Sequence, residues 1–279
     1  MAAEIFDATN CILGEGVLWH PLRQELFWFD IMDKKLHAKG VADKREWQFN
    51  EHVSAAGWVD EKRLLIASET SLSVFEIPSG NSTRLAGLEE DNPATRSNDG
   101  RADLFGGFWI GTMGKEHEAK AGAIYRFYKG ELRKLYDEVT VSNEICFAPD
   151  GKIACFTDTR TGCIMRVTLD SQGWPSGSPE IYLDFSGESF GPDGAVIDQD
   201  GNLWNAQWGG SKVACFGPQG NLLDEYELPT PQVTCPGFGE DGDLFVTTAA
   251  TGRSDDRGAG QTYRIKTGAR GQQENRVLL

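Results

Sequence analysis

The sequence predicts an all-β chain folded as a six-bladed β-propeller with four-stranded blades, and three observations carry that prediction. Short β-branched and aromatic runs bounded by Gly, Asp, Asn and Pro recur along the 279 residues, while sustained helical periodicity is hard to find. The runs repeat as one unit, a turn followed by an apolar strand. The differences between successive copies, 39, 44, 45, 50 and 41 residues, are close to the period of a four-stranded propeller blade.

Taken in order, the six copies read HPLRQELFWFD, VDEKRLLIAS, ADLFGGFWIGT, APDGKIACFTD, DQDGNLWNAQW and GEDGDLFVTTA. Aligned at their turns, they place Leu26, Leu65, Trp109, Ala154, Trp204 and Phe245 at one equivalent strand position. No Ser/Gly/Pro-rich linker separates them, so residues 1–279 are expected to form one propeller domain. Pairing of the N-terminal strand with the last blade is expected to close the ring, because an open propeller would leave unpaired edges. The alignment also separates two Asp-Gly pairs in GPDGAVIDQDGNLW. Asp200-Gly201 aligns with Asp150-Gly151 and Asp241-Gly242 as the repeated hairpin turn, whereas Asp193-Gly194 does not.

Composition narrows the function. A net charge of −15 disfavours a broad basic surface for nucleic acid. The opening MAAEIFDATN has no basic segment leading into an apolar run, and no stretch of 18 apolar residues occurs, so a soluble cytoplasmic protein without membrane association is expected. The six cysteines lack a C-x-x-C pair and several sit in strand-like runs such as IACF. They are read as small buried hydrophobes rather than a disulfide framework or zinc site. None of the four histidines is paired at ligand spacing, and no G-x-S-x-G elbow or P-loop is present.

Equivalent residues of a propeller occupy equivalent places around its channel. Eleven residues before each aligned strand position stand Glu15, Ser54, Asn98, Asn143, Asp193 and Thr234, all with oxygen-bearing side chains. Carboxylates and carboxamides converging on one axis repel or stay unsatisfied unless a cation sits among them, and a divalent ion is the simplest solution. Glu15, Asn143 and Asp193 offer hard oxygen donors suited to Ca²⁺, Mg²⁺ or Mn²⁺, with Zn²⁺ and Fe²⁺ also compatible. Three protein ligands leave positions open for water or substrate, as in a catalytic site. Ser54 and Thr234 are expected to make hydrogen bonds lining the channel. Trp109, Trp204 and Trp208 could stack on a sugar but are read first as packing between blades.

LGEGVLWH around Glu15, RSNDGRAD followed by FWIGTMG, VSNEICFAPDG around Asn143, and PDGAVIDQDGNLWNAQWGG around Asp193 resemble, in order and over nearly the whole chain, the senescence-marker-protein, regucalcin and gluconolactonase family. The resemblance implies a six-bladed propeller that hydrolyses a sugar lactone with one divalent metal held by Glu15, Asn143 and Asp193. It implies substrate contacts from Arg96, Asn98 and Glu116, with Glu118 a neighbouring candidate for the last. Two departures stand out: Val17 replaces a Pro, and Glu144 stands beside Asn143 where a Gly usually follows. The expected activity is hydrolysis of an aldonolactone or related lactone in carbohydrate catabolism, with Asp193 as general base or as ligand alone. The alternative is a calcium-binding, regucalcin-like protein without turnover. The partner expected is a small sugar lactone, and the protein itself a monomer or small homo-oligomer.

Overall fold

In the computed structural model, which describes residues 2–279 apart from Val41, Ala42, Ser254 and the side chain of Asp241, the strands gather into six four-stranded antiparallel sheets. Blade one comprises Gly14–His20, Glu25–Asp30, Lys35–Lys39 and Lys44–Gln48. Blades two to five repeat that hairpin order, beginning at Val53–Asp60, Thr95–Ala102, Ser142–Phe147 and Gly191–Ile197. Blade six takes Val233–Phe238, Asp243–Thr248 and Thr262–Lys266 from the end of the chain, and its outer strand, Glu4–Asp7, from the beginning. This last pairing closes the ring as expected. The six aligned positions, Leu26 to Phe245, all fall on the second strand of their blades and are buried.

The first strands of neighbouring blades pack against one another all the way around, so they form the wall of a central channel. Their burial reflects this: Ser142–Phe147 is buried at every residue, whereas the outer strands Ser82–Gly87 and Leu222–Glu227 are largely exposed. Between blades lie six apolar clusters, one per interface, such as Phe27, Phe29, Leu64, Ile66 and Phe75 between blades one and two. Burying these faces is what holds the ring together. Trp109 meets Phe147 edge-on across one interface and Trp204 meets Phe238 across another, both at 5.5 Å between ring centres, so these two tryptophans pack between blades. All six cysteines are free and five are buried.

The two Asp-Gly pairs separate as the alignment predicts. Gly201 adopts a left-handed φ of 83° at the hairpin turn, as Gly151 does at 69°, whereas Asp193-Gly194 lies within the first strand of blade five. Residues 267–279 form no strand and cross the far end of the channel. There Gln272 Nε2 donates to the carbonyls of Phe147 (2.9 Å) and Ile197 (2.8 Å), and the Trp58 indole donates to the Glu274 carbonyl at 2.8 Å. Glu274 also ion-pairs with Arg101, and both side chains are buried. This C-terminal strap seals one mouth of the channel, and the other carries the site.

Candidate active site

Each first strand slips register near its inward-facing polar residue, with shifts at Glu15/Leu18, Val53/Ala55, Ser97/Gly100, Asn143/Cys146, Pro192/Ala195 and Val233/Pro236. A bulge re-aims a side chain that a regular strand would point into the blade interface. Gly16 takes a φ of 61° after Glu15, where an added Cβ would collide with the Ser54 carbonyl, so glycine is required there. Glu144 adopts the same left-handed φ, 63°, after Asn143 without being glycine.

Glu15, Arg96, Asn98, Asn143 and Asp193 all line one cavity of about 550 Å³, of the size that small-molecule sites have. The sequence-derived ligands and substrate contacts thus line one cavity except for Glu116, while Ser54 and Thr234 make hydrogen bonds in the channel wall as expected. Ser54 and Thr234 are buried in the wall, Ser54 Oγ donating to Ser97 Oγ at 2.8 Å and Thr234 Oγ1 to the Gly14 carbonyl at 2.6 Å. Their hydroxyls are short enough to be satisfied within the wall, so neither reaches the cavity. Glu116 is exposed and stands outside the lining, which at this loop is provided by its neighbours Lys115 and His117; Glu118 accepts from the Glu116 backbone.

A relay of hydrogen bonds fixes the polar wall. Arg96 Nη1 donates to Asn98 Oδ1 (2.8 Å), Asn98 Nδ2 to Asn143 Oδ1 (2.9 Å), Asn143 Nδ2 to Thr159 Oγ1 (2.9 Å), and Thr159 Oγ1 to the Pro192 carbonyl (2.7 Å). The relay spans blades three to five and sets which way each amide points. Trp208 lines the cavity, unlike the other two tryptophans singled out. Loop residues Ile12, Phe190 and Arg160 complete the rim and carried no sequence signal, because loops between strands belong to no repeat. Thr159 was equally invisible: only the folded chain brings its hydroxyl to Asn143.

The two acidic residues are poorly satisfied by protein. Among the described residues, no donor reaches either Asp193 oxygen or Glu15 Oε1, and Glu15 Oε2 accepts only from the Gly16 amide at 3.2 Å. Burial, then the charge of Asp99, pushes the Glu15 carboxyl up to about 8, against the pull of the Gly16 amide and Arg96. Burial, then the charge of Glu15, drives the Asp193 carboxyl well above its ordinary range. Two carboxylates that line one cavity and lack protein donors would suit a cation, and Asn143 Oδ1, in the same lining, offers a neutral oxygen. This donor set fits a hard divalent ion. Among the described residues no group of three His, Cys, Asp or Glu side chains assembles as a metal site, and the Asn143 amide is a further oxygen the lining offers beside the two carboxylates.

Its relatives make the chain a lactonase-type carboxylic ester hydrolase. The chain belongs to the SMP-30/gluconolactonase/LRE-like family, whose model matches residues 13–250. A Rhizobium meliloti protein provisionally named as a sugar lactone lactonase is 39% identical over 274 residues, 94% of this chain and 92% of its own length. The L-arabinolactonase of Azospirillum brasilense is 34% identical over 266 residues, 91% of this chain and 86% of that one. Among solved structures, a calcium-binding protein, regucalcin, from Agrobacterium tumefaciens superposes with a TM-score of 0.97 at 36% identity, covering 100% of this chain and 98% of that one.

Proposed function

We propose that this chain hydrolyses a sugar-acid lactone to its open-chain acid in carbohydrate catabolism, with one divalent ion held by Glu15, Asn143 and Asp193. The observation that carries the reading is the pair of buried carboxylates facing the cavity without donors, beside an arginine and two amides. The sugar lactonases among its relatives support the reaction class.

When bound, the ion would supply Lewis acidity toward the lactone carbonyl and acidify a nearby water. Asp193 acts as general base: its carboxylate takes a proton from that water as the oxygen attacks the carbonyl carbon. The bond from the former carbonyl carbon to the ring oxygen then breaks, and Asp193 returns the proton to the departing alkoxide, giving a hydroxyl and a carboxylic acid. Arg96 presents Nε and Nη2, which no described residue engages, to substrate oxygens. Asn98 is held between Arg96 and Asn143, which keeps the polar wall preorganised without solvent reorganisation.

The test is proton release from a panel of γ- and δ-lactones after chelation and after restoring individual divalent ions. Chelation is expected to abolish turnover, one or more ions to restore it, and Asp193→Ala to lower kcat by at least ~100-fold. Parental activity in Asp193→Ala sinks the assignment. A second reading, calcium binding without turnover, is favoured by the likeness to the Agrobacterium protein; saturable ion binding with no hydrolysis across the panel would select it.

A further inference from the structure

We propose that the lactone taken by this cavity carries a second, anionic oxygen group distal to its carbonyl, a carboxylate, phosphate or sulfonate, and that Arg160 recognises it. The inference rests on the lactonase reading and adds the class of substrate. It begins from the charges lining the cavity. Glu15 and Asp193 are acidic, and Arg96, Lys115 and Arg160 are basic. Lys115 is already matched, its ammonium bonded to Glu69 and to the Pro93 carbonyl (2.8 Å). A divalent ion between Glu15 and Asp193 would balance those two carboxylates. Arg96 and Arg160 are then left over, and among the described residues neither forms an ion pair. With that ion in place the lining would carry net positive charge, on a chain whose overall charge is −15. Arg96 keeps the charges of Glu15, Asp193 and Glu69 about it, so Arg160 is the guanidinium that a neutral sugar leaves unmatched, whereas an oxyanion meets its planar fork of donors.

Arg160 is placed for this by its backbone. It sits in the short turn Thr159–Thr161, where its amide donates to Asp158 Oδ1 at 3.1 Å and Gly162 closes back on the Thr159 carbonyl at 3.2 Å. The preceding residue, Thr159, is the one that bonds Asn143 and the Pro192 carbonyl, so the turn is fastened directly to two blades of the polar wall. Its side chain has no hydrogen-bond partner among the described residues, is exposed, and lines the rim. Glu116 and Glu118, exposed on the loop that contributes Lys115 and His117, stand outside the cavity lining, and among the described residues neither ion-pairs with Arg160.

The test compares D-glucono-1,5-lactone with its 6-phosphate and with D-glucaro-1,4-lactone, using the ion-loaded full chain, Arg160→Ala and Arg160→Lys. The parent is expected to favour one charged lactone in kcat/KM. In Arg160→Ala the ratio of charged to neutral kcat/KM should fall by about tenfold to a hundredfold, chiefly through KM, and Arg160→Lys should restore part of it. A readout without turnover is calorimetric binding of D-glucitol, D-glucitol 6-phosphate and D-gluconate, in which tighter, Arg160-dependent binding of phosphate or carboxylate identifies the anion. Equal binding of charged and neutral polyols, or an unchanged charged-to-neutral ratio in Arg160→Ala, overturns the inference. Absence of hydrolysis with every lactone, combined with Arg160-dependent anion binding, would refute the lactonase reading and leave the anion site standing.

Discussion

In chelator-treated protein the two cavity carboxylates become a pH-dependent liability, and Glu15→Gln isolates it. The Glu15 carboxyl titrates at an ordinary 4.5 when unfolded and at about 8 when folded, because folding buries it beside Asp99. Between those values the folded state binds the extra proton. Stability is therefore fully present below about 4.5 and is lost as pH rises through about 8. Each pH unit in that window is worth about 1.4 kcal/mol, so moving from pH 5 to pH 7 costs about 3 kcal/mol. For a chain of this size that is on the order of 10 °C in Tm. Differential scanning fluorimetry in chelator at pH 5, 6 and 7 should show the parent losing stability more steeply than Glu15→Gln. A residual slope will remain in the variant, since burial also raises the Asp193 and Glu144 carboxyls well above their ordinary range and the Asp99 carboxyl to about 6. Adding a divalent ion should stabilise the parent more at pH 7 than at pH 5, because it binds the deprotonated oxygens. Parallel pH dependence in parent and Glu15→Gln would refute the reasoning.

Two further outcomes concern the ring and its sealed end. Asp7, on the N-terminal strand that completes blade six, bonds Lys44 at 2.7 Å and Lys39 at 3.2 Å in blade one. Burial alone would raise its carboxyl, but Lys44, Thr9 and Lys39 together hold it below its ordinary 3.8. The stability it contributes is present above 3.8 and lost as pH falls below. Asp7→Asn should therefore cost about 1 kcal/mol in urea unfolding at pH 7, after discounting for the partly exposed lysines, and less at pH 3. Glu274→Ala leaves Arg101 buried without its counter-charge, which should cost about 3 kcal/mol and shift the emission of Trp58, whose indole donates to the Glu274 carbonyl. A melting temperature within a degree of the parent would show that the strap does not hold the channel's far end.

What the sequence revealed is what repeats. Six copies of one hairpin, each burying the same face between neighbours, imprint a period that survives differences in residue, so Leu26, Ala154 and Trp204 could be aligned despite sharing no side chain. Counting back from them reached Glu15, Asn98, Asn143 and Asp193, and all four line the cavity. The same count also reached Ser54 and Thr234, which bond inside the wall, because it locates a backbone position and says nothing of how far a side chain extends. Arg160 lies in a blade-top turn and Glu274 in the tail after the last repeat, so neither has an equivalent in another blade. Glu274 meets Arg101 only when the tail crosses the closed ring, and Thr159, beside Arg160, meets Asn143 only once blade four has folded.

Glu144 shows how far backbone and chemistry are separable at this mouth. Its left-handed φ is one that Gly16 adopts after Glu15, so the bulge persists when its permissive residue is replaced by one that is strained there. The side chain is fully buried: Asn205 donates to Oε1, and Oε2 has no partner among the described residues. Burial raises its carboxyl well above the usual range, and its charge contributes in turn to the same rise at Asp193. A substitution next to Asn143 thus leaves the strand geometry in place while altering the electrostatics of a carboxylate in the adjacent blade. The bulges fix where the polar residues point, and the residue chosen at each bulge fixes the charge the cavity holds. Glu144 thereby acts on the Asp193 carboxyl without moving the backbone that holds either residue.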